Sequence, residues 1–231
     1  MKYSKKQFAC FAIILLFFVV SSGCTDTPEN QTPSNEYIID QSDFVKGNEL
    51  IEDIPKSQLS EEEVEGLVLM REEEKLARDV YNVLGEKWGT NIFTNIAKSE
   101  QTHTDAVKVL LDRYNIEDPV KDDSIGVFNS NELDELYKTL VKQGSLSLLD
   151  ALKVGATVED LDIKDLNELS AKTDNADIIT TYNNLNKGSR NHLRAYIKQI
   201  ENNGGSYSPQ YISQAEFDSI ISSEQEKGQV R

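Results

Sequence analysis

Glu100 and His103 stand three residues apart, and Glu74 stands alone in the segment before them. On a helix, a Glu and a His at that spacing present to one side. There a carboxylate oxygen and an imidazole nitrogen can bind one metal ion together. Carboxylates suit hard, oxygen-loving cations, and imidazole adds affinity for iron. Glu159, Asp162 and His192 offer the same donor types further along. His103 and His192 are the only histidines, and the two cysteines, Cys10 and Cys24, lie near the N-terminus. A metal in the body of the chain would therefore be held by carboxylates and imidazoles, without thiolates, and no disulfide staples the fold.

The elements that must carry these residues are helices. Ser60-Glu-Glu-Glu63 reads as a capping box opening a helix that runs to about Trp88 and stops at Gly89. One face reads Leu67, Met70, Glu74, Ala77, Tyr81, Leu84, Trp88, an apolar stripe interrupted by a single carboxylate. The flanking acids Glu72 and Glu73 read as solvated. A second helix spans about 91–114, with the stripe Phe93, Ile96, Glu100, His103, Val107, Leu110, Tyr114. The short connection makes the two antiparallel neighbours. Glu74 lies fifteen residues before Gly89, and Glu100 and His103 lie eleven and fourteen after it. At about 1.5 Å of rise per residue, the three side chains fall at nearly one height.

Residues 115–130 read as a loop, followed by a short helix over 131–143 that makes the connection a long crossover. A third helix spans about 145–172, with Asp162 marking a place where it could break. A fourth spans about 174–203, and a last short helix capped by Ser213 ends near Ile221. About the turn at Asp174, Glu159 and Ser189 are again level. The expected fold is all-α: a four-helix bundle with a long crossover carrying an extra short helix.

Each long helix thus places a polar donor on an apolar stripe. Several buried carboxylates at one level repel one another, and divalent cations resolve that. Bundle proteins with di-iron or di-manganese centres take one Glu from each of two helices and Glu-x-x-His from each of the others. Here Glu74 and Glu159 are the single carboxylates, Glu100 and His103 the complete pair, and His192 the remaining imidazole. Ser189 stands where the last Glu would be, and Asp162 could supply that oxygen from the third helix. Tyr81 shares a face with Glu74, either as core with a satisfied hydroxyl or as a group behind a ligand. Arg78 could pair with a ligand carboxylate or with the acids beside Glu74.

Glu74-x-x-Ala77-Arg78-x-x-Tyr81 and Glu100-x-x-His103 resemble the first two helices of rubrerythrin-type ferritin-like proteins. More closely, residues from about 64 to 222 resemble the prokaryotic family called domain of unknown function 2202. The strings are Arg71-Glu-Glu-Glu-Lys-Leu-Ala-Arg-Asp-Val-Tyr81, Ser99-Glu-Gln-Thr-His103, Asp150-Ala-Leu-Lys-Val-Gly155, Thr173-Asp-Asn-Ala-Asp177 and Gly188-Ser-Arg-Asn-His-Leu193. The resemblance implies a ferritin-like bundle. It does not choose among iron oxidation, peroxide reduction and substrate oxygenation.

The remaining features set context. A formal net charge of −16 over 231 residues argues against nucleic acid as a partner. Lys2, Lys5 and Lys6, the apolar run 8–20 and Ser21-Ser-Gly-Cys24 read as a lipoprotein signal over 1–23, with Ser21 where Leu is usual. Cys24 would carry the lipid, which makes the membrane a partner through that anchor and places the domain outside the cytoplasmic membrane. Residues 24–58 read as an acidic tether, 59–222 as the bundle and 223–231 as a frayed polar tail. The expected partners are metal ions and peroxide or dioxygen, with a homodimer as the reasonable assembly. Two functions fit: a di-iron or di-manganese redox protein, and a non-catalytic surface-anchored module with a structural metal or none.

Overall fold

The computed structural model describes residues 51–230. The leader, Cys24 and the first part of the tether lie outside the described residues. Among the described residues there is no strand, and no helix is long and apolar enough to cross a membrane. Among the described residues after Ser60, six helices follow one another: α1 (Glu61–Trp88), α2 (Asn91–Tyr114), α3 (Asn131–Gly144), α4 (Leu148–Ser170), α5 (Ala176–Asn202) and α6 (Gln214–Ser222).

The start of α1 is the capping box read from the sequence. Ser60 Oγ accepts from the Glu63 backbone N–H, and Glu63 Oε2 accepts from the Ser60 backbone N–H. Its end is Gly89 at φ 65°, a left-handed conformation that a side chain disfavours. Gly89 and Thr90 alone separate α1 from α2, so the two pack as a hairpin. α4 and α5 form the second hairpin, and α1 against α4 and α2 against α5 close the bundle. α4 runs unbroken through Asp162, against the break that its sequence allowed. The carboxylate lies inside the bundle rather than at a helix end.

The crossover is strapped down by charges of α1, among them Glu72, which reads as solvated from the sequence. Arg71 binds Asp118, and Lys75 Nζ, fully buried, binds Asp79 and the Ser124 carbonyl. Asp79 also accepts from the Gly126 N–H, and Glu72 accepts from the Asn129 and Ser130 N–H groups. Arg78 reaches Asp79, Asp123 and Gln101, so its guanidinium pairs with none of the expected ligands. Segment 115–130 therefore covers the polar face of α1, and Glu72 and Glu73 are both buried.

Both ends of the packed unit extend further than expected. Ile51, 1% exposed, joins the core with Ile54 and Leu59 against it, so the last residues of the predicted tether belong to the bundle. The tail is bound rather than frayed. Glu226 accepts from Arg190 and Arg194 on α5, and Val230 exchanges hydrogen bonds with Asn184. Asp160 clamps the segment before α6, accepting from the Tyr207 hydroxyl and from the Tyr211 and Ile212 N–H groups.

The apolar interior is divided. One cluster gathers Leu76, Val80, Tyr81, Leu84, Phe93, Leu152 and Tyr196, and the other gathers Leu67, Met70, Val107, Leu110, Leu166 and Leu185. Between them, at the level of Glu74 on α1 and Glu100 on α2, runs a layer of buried acids and histidines.

Candidate metal centre

That layer holds Glu74, Glu100, His103, Glu159, Asp162 and His192, each at most 2% exposed. Five of the six converge as two triads, Glu74–Glu100–His103 and Glu100–Glu159–His192. In each triad one donor atom per residue lies within 4.8 Å of the others. Glu100 belongs to both, giving one oxygen toward each imidazole. Its Oε2 is 2.9 Å from His103 Nδ1, and its Oε1 is 2.7 Å from His192 Nδ1. Glu74 Oε2 is 3.1 Å from His103 Nδ1, and Glu159 Oε2 is 3.4 Å from His192 Nδ1. The imidazoles stack at 5.5 Å between centroids and 19° between planes, so the triads lie side by side.

Most of these donors are close without being hydrogen-bonded. Both oxygens of Glu100, one each of Glu74 and Glu159, and His192 Nδ1 lack a hydrogen-bond partner. Buried polar atoms are ordinarily paired. Here they approach one another off the line a hydrogen bond needs, as donors do when aimed at a common point. This orphaned set would suit two cations, with Glu100 the residue common to both triads. Two divalent ions would also balance the four carboxylates Glu74, Glu100, Glu159 and Asp162, with both imidazoles neutral.

The surrounding contacts hold the donors in place. The Tyr81 hydroxyl donates to Glu159 Oε1 at 2.6 Å, leaving Oε2 for an ion. Tyr81 thus stands behind a candidate ligand, and its ring packs tilted against Phe93 and Tyr196. His192 Nε2 lies 3.1 Å from Ser99 Oγ. A proton on Nε2 donated there keeps Nδ1 free to bind. Ser189 is buried, with its hydroxyl turned back to the Leu185 carbonyl, so α5 contributes only His192. Asp162 is not part of either triad, although its Oδ2 is buried and unpartnered.

Two supporting residues escaped the sequence reading. Ser99 sat in a quoted string without a role. Gly188 lies flat against His103: a Cβ there would fall 2.6 Å from Nε2 and 2.5 Å from Cε1. Neither residue interrupts an apolar stripe with charge, so hydrophobic periodicity marks neither.

Protons stand in for cations when none is bound. Burial raises Glu74 to about 8, against the pull of His103. Burial likewise raises Glu159, and it raises Asp162 well above the carboxylate range with help from Glu74. Burial opposes charge on the imidazoles, but Glu100 and Glu159 lift His192 to about 9, and Glu100 and Glu74 lift His103 well above its ordinary value. Burial also pushes Glu100 up, but His192 and His103 together hold it below the ordinary range.

A scan against protein-family models matches residues 63–224 to the family described as an uncharacterized protein domain, DUF2202. The chain belongs to that family. It is 61% identical over 183 residues to the uncharacterized protein MJ0754 of Methanocaldococcus jannaschii, covering 79% of this chain and 99% of that protein. The crystal structure of hypothetical protein MJ0754 from Methanococcus jannaschii superimposes with a TM-score of 0.75, covering 75% of this chain and 99% of that one.

Two outcomes are expected. Gly188→Ala should displace His103 and weaken metal binding by about 10–100-fold while circular dichroism still reports a helical fold; competition against a chromophoric chelator measures this. In chelator, the metal-free protein should lose thermal stability as pH rises. Folded Glu74 keeps its proton up to about 8 against 4.5 for the ordinary group, and folded His192 keeps its own up to about 9 against 6.5. Above the ordinary values the folded state binds more protons than the unfolded one, so each rise in pH favours unfolding. A melting temperature unchanged between pH 6.5 and 9 would contradict this proton inventory.

Proposed function

We propose that this protein binds two cations of the iron or manganese type and uses them for redox chemistry on peroxide or dioxygen, in the manner of ferritin-like proteins. The observation that carries this reading is Glu100, a buried carboxylate with one oxygen directed into each triad. A carboxylate shared by two imidazole-bearing triads is an arrangement for two ions rather than one. When bound, the ions supply electrons one at a time and a Lewis-acidic surface for an oxygen ligand. The chain's own residues do the rest. Glu100 sets the spacing of the two positions, Tyr81 fixes Glu159 and Ser99 fixes His192. The apolar clusters on either side keep water from the layer. No cysteine occurs among residues 51–230, so reducing equivalents come from outside. The apolar run 8–20 and Cys24 support an anchor at the outer face of the membrane. Cys24→Ser should then move the protein from the membrane fraction to the soluble one, and retention in the membrane would reject the lipid.

A second reading has one observation in its favour. Ser189 leaves α5 without a carboxylate at the level of the triads, which suits a non-catalytic module with a structural metal or none. Variants and spectra separate the two. The full-length protein should take up about two ions per chain, as expected for such centres. Glu100→Ala should lose both, whereas His103→Ala should retain about one. Peroxide should change the absorption spectrum of the iron-loaded protein. A loaded protein whose spectrum ignores peroxide would favour the structural reading. Full metal content in both variants would reject the site itself.

A further inference from the structure

Glu73 is a buried acid that the two-ion centre does not use. It is 3% exposed, and neither carboxylate oxygen has a hydrogen-bond partner. It lines a crevice between α1, α3 and α4, walled mainly by apolar side chains such as Leu133, Leu136 and Leu140 of the crossover helix. Asp162 lines the same crevice, 2% exposed and with Oδ2 unpartnered. At the rim, Leu136 and Tyr211 are only partly buried, so the crevice reaches toward solvent. Its inner surface thus carries two unsatisfied carboxylates, each beside a ligand of the centre. Glu73 precedes Glu74, and Asp162 follows Glu159 by one helical turn.

Charge decides what these carboxylates are for. Two divalent ions already balance Glu74, Glu100, Glu159 and Asp162, which leaves Glu73 in surplus. The bundle does not need Glu73 as a contact, since it has no hydrogen-bond partner. A carboxyl group takes a cation by giving up its proton, whereas an anion would meet no fixed positive charge there and a neutral oxidant would gain nothing from an acidic floor. A divalent cation takes carboxylate oxygens as its preferred ligands, and apolar walls strengthen the attraction by excluding water. Lys164, the nearby cation, is held by Asp165 and Glu168. We propose that Glu73 and Asp162 form a loading site that passes a divalent cation from the crevice to the two-ion centre. The inference rests on the reading of that centre as a metal site.

The test is the rate of metal uptake by the full-length protein, read by stopped-flow absorbance with Co²⁺ alone. Glu73→Gln keeps the shape of the side chain and removes its charge. It should bind the same number of ions at equilibrium but load them about tenfold more slowly, a modest rise in barrier. Leu136→Trp, which narrows the crevice without touching a carboxylate, should slow the same step. Wild-type loading rates in either variant would overturn the proposal. So would a lower final stoichiometry in Glu73→Gln, because Glu73 would then hold a resident ion. A wild-type protein that binds no Co²⁺, Fe²⁺ or Mn²⁺ would instead reject the metal centre on which the proposal depends.

Discussion

This fold is arranged around a layer of buried charge that satisfies itself only in part. Glu74, Glu100, Glu159 and Asp162 meet two imidazoles in a section of the bundle between two apolar clusters. Carboxylates removed from water and unpaired are strongly unfavourable. Protons reduce that penalty only in part, because two charged imidazoles then face one charged carboxylate, Glu100. Cations between the triads would remove both the repulsion and the orphaned donors. The bundle tolerates this layer because its stability comes from elsewhere, in the two apolar clusters and in the crossover strapped along α1.

That strapping explains an otherwise puzzling face. α1 buries Arg71, Glu72, Lys75, Arg78 and Asp79, a set that would ordinarily face water. Each is paired with segment 115–130 or with a neighbour on α1. Glu74 points inward from the same helix. α1 is therefore held from outside by ion pairs while it offers a candidate ligand on its inner side, as a preorganised centre would require.

Much of this was legible in the sequence, for identifiable reasons. Local chemistry marked the helix ends, through the Ser60–Glu63 box and the left-handed Gly89. The candidate ligands stood out as charges interrupting apolar stripes, and counting from Gly89 put Glu74, Glu100 and His103 level. What stayed hidden depends on contacts distant along the chain. Glu72 and Glu73 looked solvated because nothing local announces that Asn129 and Ser130 bind Glu72 or that α3 and α4 close over Glu73. Asp162 looked like a break because an Asp inside a helix is unfavourable on its own, whereas here the long-range charge layer surrounds it. Ser99 and Gly188 act by a hydroxyl and by the lack of a side chain, and neither leaves a mark on hydrophobic periodicity. The tail looked frayed because its acids are polar, yet Glu226 is gripped by two arginines of α5.

The centre itself is tested most directly by crystals of the protein soaked in Mn²⁺, with diffraction collected at the manganese absorption edge. The account requires two anomalous peaks per chain. One should lie among Glu74, Glu100 and His103, the other among Glu100, Glu159 and His192, with a Glu100 oxygen bonded to each. Peaks elsewhere, or none inside an intact bundle, would contradict it, and the Glu–His layer would then stand as a self-paired core.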